Sequence, residues 1–155
     1  MKKLFFSAIL SLVFVFLANG LAQAQQIKIT GAAGDVKRGG STNGRIVMDI
    51  PGSLHVNSNR PNSEYAIPTS IKLIATGVRV GAVNYPRGVN RKFEFSDTVI
   101  NVYEGRVVFT FNLTVPSNFK GSSIPVRAVV RYQACTDEVC YPPRNQTINF
   151  TARIR

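Results

Sequence analysis

The sequence contains few of the residues on which most catalytic and metal sites depend. Among 155 residues there are two cysteines, one histidine, no tryptophan and only 8 aspartate and glutamate residues. So few histidines and carboxylates form no credible catalytic triad or acid/base pair, which makes a hydrolytic enzyme the weakest alternative. Two thiols need further ligands to hold a metal, and the single histidine, His55, is distant in sequence. We therefore expect no metal and no small-molecule cofactor, and we assign His55 no catalytic role.

A long apolar run occurs only at the amino terminus. Lys2 and Lys3 precede an uncharged stretch over residues 4–17, and Ala22-Gln23-Ala24 has the small residues of a signal-peptidase site. About 14 apolar residues fall short of the roughly 20 that span a bilayer, although a retained anchor is the alternative. We predict a cleaved signal peptide over residues 1–24. Residues 25–155 would then form one periplasmic or secreted domain, long enough to bury a core.

Positive charge exceeds negative charge in the predicted mature domain. The formal net charge is +11 for the full chain and becomes +9 without Lys2 and Lys3. The basic residues are scattered, with no run of five or more and no basic helix. We interpret them as a solvated surface that attracts acidic partners, and because an exported domain has little access to nucleic acid we predict no nucleic-acid binding.

Apolar and polar residues alternate along most of the remaining chain. The longest alternating segments are 107–115, 124–133 and 147–154, and shorter ones lie at 46–50, 71–73 and 78–82. Successive side chains of a strand point to opposite faces, so each segment predicts a strand with one buried face. About seven to nine short strands predict an all-β, immunoglobulin-like β-sandwich, with a β-barrel as the alternative. The Gly-rich stretch 31–44 is predicted to be a mobile loop.

The two cysteines fall in one predicted hairpin. Cys135 and Cys140 are separated by four residues, follow the alternating segment 124–133, and precede Pro142-Pro143. This spacing lets them form a disulfide across the hairpin neck. Such a bond closes a six-residue loop and contributes only about 2 kcal/mol, whereas a short exposed loop is open to a partner. From the spacing alone, an inert bridge and a redox-active pair remain equal alternatives.

The sequence around the cysteines resembles a known family. The segment Tyr132-Gln133-Ala134-Cys135 and, after a four-residue turn, Cys140-Tyr141-Pro142-Pro143 is similar to the active-site hairpin of the amino-terminal periplasmic domain of the thiol:disulfide interchange protein DsbD. Weaker similarities follow in the expected order at 50–58, 68–73, 85–86 and 103–106, so the resemblance covers residues 45–155. It implies an immunoglobulin-like fold and thiol–disulfide exchange with thioredoxin-like periplasmic proteins through transient mixed disulfides.

The resemblance also implies roles for the two cysteines. Cys140 would form the mixed disulfide with a partner, and Cys135 would resolve it. Asp137 and Glu138 should oppose thiolate formation by repulsion, and nearby arginines, Arg131 and Arg144, could offset this. An immunoglobulin-like binding or scaffold module with an inert disulfide is the competing function.

Two further expectations follow from the resemblance. The family shields its cysteines with an aromatic cap loop, and Phe95 in Phe93-Glu94-Phe95-Ser96-Asp97 is the predicted cap; the alternative is that Phe93 and Phe95 lie on an ordinary strand. The best-known member continues into a membrane-spanning electron conduit, whereas this sequence ends at Arg155. We therefore expect that the chain takes electrons from a separate membrane electron-transfer protein, with a different role for the chain as the alternative.

Overall fold

The computed structural model describes residues 26–155, so the predicted signal peptide lies outside the described residues. Within that part of the chain, no helix has the length and apolar character needed to cross a membrane. The regular elements described are β-strands: β1 (Lys28–Ala33), β2 (Ser41–Asp49), β3 (His55–Asn57), β4 (Ser70–Ala75), β5 (Arg79–Val80), β6 (Val89–Arg91), β7 (Ile100–Tyr103), β8 (Arg106–Thr114), β9 (Ser123–Tyr132), β10 (Ala134–Cys135) and β11 (Arg144–Arg153).

These strands form three antiparallel sheets. Their strand orders are β1-β2-β8-β5, β11-β9-β4 and β10-β3-β7-β6. The first two sheets contribute most of one continuous hydrophobic core. The chain is an all-β, immunoglobulin-like β-sandwich, which confirms the fold predicted from the alternating segments.

The strands β8 and β9 show why alternation predicted the sandwich. In both, every second residue is buried and the residues between them are mostly exposed. The buried side chains meet in the core, where about 1.5–3 kcal/mol is gained for each large aliphatic or aromatic side chain removed from water. They include Phe109, Leu113, Ile124, Val126 and Val130.

The sequence predicted a mobile loop over the Gly-rich stretch 31–44. This prediction is wrong for both ends of the stretch, which lie on strands. Gly31 lies on β1 and Gly44 on β2, so only residues 34–40 connect the two strands. A Cβ atom on Gly31 would overlap the ring of Phe150, and one on Gly44 would overlap the ring of Phe111. Glycine stands at these strand positions because aromatic rings from neighbouring strands lie directly against the backbone.

The third sheet carries the cysteines. Its strands β10, β3, β7 and β6 have only two to four residues each, too few to show alternation in the sequence. All three residues of β3 are buried. A second, smaller hydrophobic cluster of Phe93, Ile100 and Val102 lies beside this sheet, with Ala66 packed against it.

Candidate functional site

The cysteines form a disulfide at the edge of the third sheet. Cys135 ends β10, and Cys140 lies opposite it on the returning arm of the hairpin, with 4.0 Å between the Cα atoms. The backbone N–H of Tyr141 donates to the carbonyl of Ala134 at 2.9 Å, and that of Thr136 donates to the carbonyl of Val139 at 2.8 Å. These bonds flank the cysteine pair, which is therefore a non-hydrogen-bonded pair, the position where antiparallel strands approach most closely.

Thr136 fixes the turn between the cysteines. Its Oγ1 accepts hydrogen bonds from the backbone N–H groups of Glu138 and Val139, at 3.2 and 3.1 Å. A hydroxyl that binds amides two and three residues ahead stabilises a turn in place of regular pairing. Asp137 and Glu138 are consequently held at the exposed tip.

The two cysteines differ sharply in exposure. Cys135 is fully buried, whereas Cys140 is exposed. Cys135 is covered because β10 pairs with β3, while Cys140 lies on the far side of β10, where Pro142 and Pro143 follow without backbone N–H groups to extend the sheet. A molecule approaching from solvent therefore meets Cys140 first.

The side chain of Gln133 joins three segments around the hairpin. Its Oε1 accepts from Asn57 Nδ2 at 3.0 Å and from the backbone N–H of Ile67 at 3.2 Å. Its Nε2 donates to the carbonyl of Tyr141 at 3.2 Å. Both the donor and the acceptor capacity of the amide are thus used to position the arm that carries Cys140.

Three aromatic rings stack beside the disulfide. Phe93 lies parallel to His55, with 4.2 Å between ring centroids, and parallel to Phe95, with 5.1 Å. Phe93 is buried, whereas Phe95 is 42% exposed. A turn closed by the bond from Ser96 N–H to the Phe93 carbonyl holds both phenylalanines, and β6 ends before them at Arg91, so they do not lie on a strand.

Phe95 and Cys140 line the same cavity. This cavity, of about 530 Å³, is also lined by Tyr65, Ile100 and Gln133. The structure thus brings together the predicted exchanging cysteine and the predicted cap residue. The assignment of Phe95 as a cap stays a prediction.

His55 is a site residue that the sequence reasoning missed. It lies directly opposite Cys135 in the register of β3 and β10, and it is buried. Burial lowers the pKa of His55 below its usual range, since the lowering by desolvation and by Arg91 outweighs the raising by Asp137 and Glu104. The family similarity of residues 50–58 was the one sequence signal that included His55. Its pairing with Cys135 could not be predicted because it joins positions far apart in sequence.

Nearby charges are arranged differently from the sequence expectation. Within residues 26–155, neither Arg131 nor Arg144 forms an ion pair with Asp137 or Glu138. Asp137 instead faces His55, with 4.0 Å between Oδ1 and Nδ1. In the same part of the chain, no group of three or more His, Cys, Asp or Glu side chains is placed to hold a metal ion.

The fold and the hairpin together define a class, the immunoglobulin-like domains that carry a disulfide at a sheet edge. A family model described as the amino-terminal region of the thiol:disulfide interchange protein DsbD matches residues 27–152. The chain belongs to this family, which is a family of thiol–disulfide exchange domains. The resemblance noted in the sequence is thereby confirmed. The comparison with curated protein sequences gives no match.

Two solved structures are similar to this chain at low sequence identity. The amino-terminal periplasmic domain of ScsB from Proteus mirabilis is 12% identical, with a TM-score of 0.54 over 80% of this chain and 45% of that one. The amino-terminal domain of DsbD from Neisseria meningitidis, in the reduced form, is 16% identical, with a TM-score of 0.47 over 82% of this chain and 85% of that one. The first of these supports the sandwich fold, and the family match stands independently of both.

Proposed function

We propose that the chain is a periplasmic thiol–disulfide exchange module that passes reducing equivalents between thioredoxin-like partners through Cys135 and Cys140. Family membership supports the exchange chemistry. The observation that carries the assignment of roles is the difference in exposure, with Cys140 open to solvent and Cys135 buried behind it. An exchange protein needs one sulfur that a partner can reach and a second that closes the ring afterwards.

The proposed reaction consists of two disulfide exchanges. In the reduced chain, the Cys140 thiolate attacks one sulfur of a partner disulfide, and the other partner sulfur leaves as a thiolate. The Cys135 thiolate then attacks Sγ of Cys140, which forms the Cys135–Cys140 bond and releases the partner as a dithiol. Two electrons pass from the chain to the partner, and the reverse sequence carries them back.

The surroundings of Cys140 fit a protein partner. Val139 is 52% exposed and Tyr141 is 40% exposed, so that apolar side chains flank Cys140 on both sides in sequence. Tyr65 and Phe95 add further exposed aromatic surface at the cavity that Cys140 lines. Exposed apolar residues gathered around a reactive group mark a surface at which another protein docks.

Single cysteine variants test the proposed roles. We expect Cys135→Ser to accumulate a mixed disulfide through Cys140 with a thioredoxin-like periplasmic protein, because no second sulfur remains to resolve it. Cys140→Ser should trap far less, because Cys135 is buried. Non-reducing gels of cell extracts, with mass spectrometry of the shifted band, provide the measurement, and the double Cys→Ser variant is the matched control.

Two outcomes would contradict the proposal. Equal trapping by both single variants would remove the assignment of roles. If neither variant traps a partner in the native host under oxidising and reducing conditions, the chain is better described as an immunoglobulin-like binding or scaffold module. The reduction potential is a second measure, since a value below about −300 mV in a glutathione buffer indicates an inert structural bridge.

The proposed location can be tested separately. The solved relative from Proteus mirabilis is described as periplasmic, and the predicted signal peptide over residues 1–24 agrees with export. Fractionation of the host should place the protein in the periplasm, and amino-terminal sequencing should start at Gln25. A cytoplasmic protein that begins at Met1 would contradict this part of the proposal.

A further inference from the structure

The side chain opposite the buried cysteine is an imidazole. His55 and Cys135 face each other in the antiparallel register of β3 and β10. Directly opposed residues point to the same face of a sheet, with Cβ atoms about 4.5–5.5 Å apart. Both are buried, at 3% and 0% exposure, so the Cys135 sulfur is shielded from bulk solvent. A thiol in such a place needs a nearby group to take its proton before it can act as a nucleophile.

We propose that His55 accepts the proton of the Cys135 thiol when Cys135 resolves the mixed disulfide held by Cys140. This inference rests on the proposed function. The proton moves from Cys135 Sγ to the neutral imidazole, and the resulting thiolate attacks Cys140 Sγ. The Cys135–Cys140 bond forms as the bond between Cys140 and the partner breaks. The partner sulfur leaves as a thiolate and takes up a proton from solvent, and the imidazolium returns its own proton to solvent.

The charges around His55 suit a transient imidazolium. Asp137 Oδ1 lies 4.0 Å from Nδ1, and Glu104, at the end of β7, also favours the protonated ring. Arg91 on β6 opposes it, but Arg91 is paired with Glu104 at 2.7 Å. Burial keeps the resting ring neutral and therefore able to accept a proton. A base beside a carboxylate is an arrangement by which proteins activate a nucleophile.

The structure also provides a separate exit for the proton. His55 lines a cavity of about 980 Å³ together with Asp137, and further charged side chains on this cavity are Lys92, Glu94 and Glu138. Cys140 lines a different cavity, with Phe95 and Tyr65, and the two cavities share no lining residue. The opening beside His55 is therefore separate from the cavity at which the partner is proposed to bind.

A purely structural role for His55 makes a different prediction. The ring stacks on Phe93 at 4.2 Å, which a phenylalanine at this position would reproduce. His55→Phe therefore keeps the packing and removes both nitrogen atoms. If His55 only fills space, this variant should exchange disulfides like the wild type at every pH.

The experiment separates the two chemical steps with glutathione disulfide as the probe. The reduced mature domain is mixed with glutathione disulfide, quenched in acid at set times, and analysed by intact mass. We expect His55→Phe to form the mixed disulfide within about twofold of the wild-type rate, because Cys140 does not depend on His55. Resolution should slow by at least about tenfold at pH 6.5, and the mixed disulfide should accumulate. The slowing should shrink as the pH rises, because a growing fraction of the thiol then ionises without His55.

Two carboxylates, one facing His55 and one in another part of the domain, give a matched pair of variants. Asp137→Asn removes the carboxylate that faces His55 and should slow resolution in the same pH range. Asp35→Asn makes the same change in charge in the connection between β1 and β2, where the carboxylate pairs with Arg155, and should leave the resolution rate unchanged. Equal effects of both variants would indicate a general effect of charge and overturn the assignment to His55.

The remaining outcomes are also decisive. If a folded His55→Phe variant resolves the mixed disulfide at the wild-type rate across pH 6–9, the inference is overturned and the proposed function is left intact. Failure of the wild type itself to form a mixed disulfide would instead overturn the proposed function. If His55→Phe does not fold, the pH dependence of the wild-type resolution rate decides alone. A resolution rate that rises about tenfold per pH unit from 6 to 8, as an unassisted thiol requires, would contradict a base at this position.

Discussion

The amide of Gln133 bridges the two arms of the cysteine hairpin, with its Nε2 donating to the carbonyl of Tyr141 at 3.2 Å. Gln133 lies two residues before Cys135, and Tyr141 directly follows Cys140. The bond therefore spans the hairpin beside the disulfide. The Oε1 atom of Gln133 in turn accepts a hydrogen bond from Asn57. The arms of the hairpin are held together by noncovalent bonds as well as by the sulfur atoms.

We predict that reduction of the disulfide leaves the sandwich folded. The main core is built mostly from the first two sheets, and neither cysteine belongs to it. Opening a six-residue loop should lower the free energy of unfolding by only about 2 kcal/mol. Circular dichroism and thermal melting, with and without dithiothreitol, provide the measurement. Loss of cooperative unfolding on reduction would show that the disulfide is essential to the fold.

The bridging amide of Gln133 should contribute most to the stability of the domain when the disulfide is reduced. Gln133→Met keeps the length of the side chain but leaves the partly buried bonding groups of Asn57 and Ile67 with one partner fewer, which costs about 1–3 kcal/mol. Gln146→Met is the matched control, since within residues 26–155 the side chain of Gln146 forms only a bond of 3.4 Å with the Tyr132 hydroxyl. Equal losses of stability for both variants would contradict the role given to Gln133.

The cap prediction for Phe95 concerns access to Cys140. Because Phe95 is 42% exposed and lines the same cavity as Cys140, Phe95→Ala should speed alkylation of the reduced cysteines at a cost of about 1 kcal/mol in stability. Ile74→Ala is the control, because Ile74 on β4 is exposed to nearly the same extent, at 41%, and is not among the residues that line the cavity of Cys140. Unchanged alkylation together with a loss of about 3–5 kcal/mol would show that Phe95 is a core residue instead.

The strands that local pattern predicts are those that face the main core. Along β8 and β9 each residue's side of the sheet follows from its position, so the sequence alone locates the buried residues. The loop prediction for the Gly-rich stretch 31–44 was wrong for a non-local reason. Gly44 suggested a loop, but the ring that requires a glycine there belongs to Phe111, its partner on β8. No local pattern contains that information.

We therefore predict that Gly44→Ala destabilises the fold. The added methyl group overlaps the Phe111 ring, and the buried ring must shift at a cost of about 1–3 kcal/mol. Gly52→Ala is the matched control, since no described residue other than its two chain neighbours has an atom within 4 Å of the position where its Cβ would be. It should change the free energy of unfolding by less than about 0.5 kcal/mol. Urea unfolding of both variants makes the comparison, and equal effects would contradict the packing argument.

The site shows the same division between local and non-local information. The cysteine pair was recognisable because Cys135 and Cys140 are close in sequence and flanked by a specific motif. His55 was set aside because it is remote in sequence, yet the pairing of β3 with β10 places it opposite Cys135. Strands of two and three residues give no periodic signal, so this register could not be derived from the sequence pattern.

The burial of His55 also predicts how stability depends on pH. Its pKa is lowered in the folded state, so the unfolded chain binds a proton more readily near pH 6.5, the ordinary value for histidine. Stability rises with pH wherever the unfolded state binds more protons. The contribution of His55 to the free energy of unfolding is therefore complete above about pH 6.5. It is lost as the pH falls from there through the lowered pKa. Glu104, whose pKa is also lowered, acts in the same direction but only below its ordinary value of 4.5.

Between pH 7.5 and 5.5, His55 should thus dominate the pH dependence of stability. We expect the wild-type domain to lose stability over this range, with a slope of at most about 1.4 kcal/mol per pH unit, because one proton is involved. His55→Phe keeps the ring on Phe93 but cannot titrate, so its stability should be nearly constant over the same range. Urea unfolding in buffers of matched ionic strength makes the measurement. An equal loss of stability in the two proteins would mean that another group titrates, and that His55 does not resist protonation in the folded state.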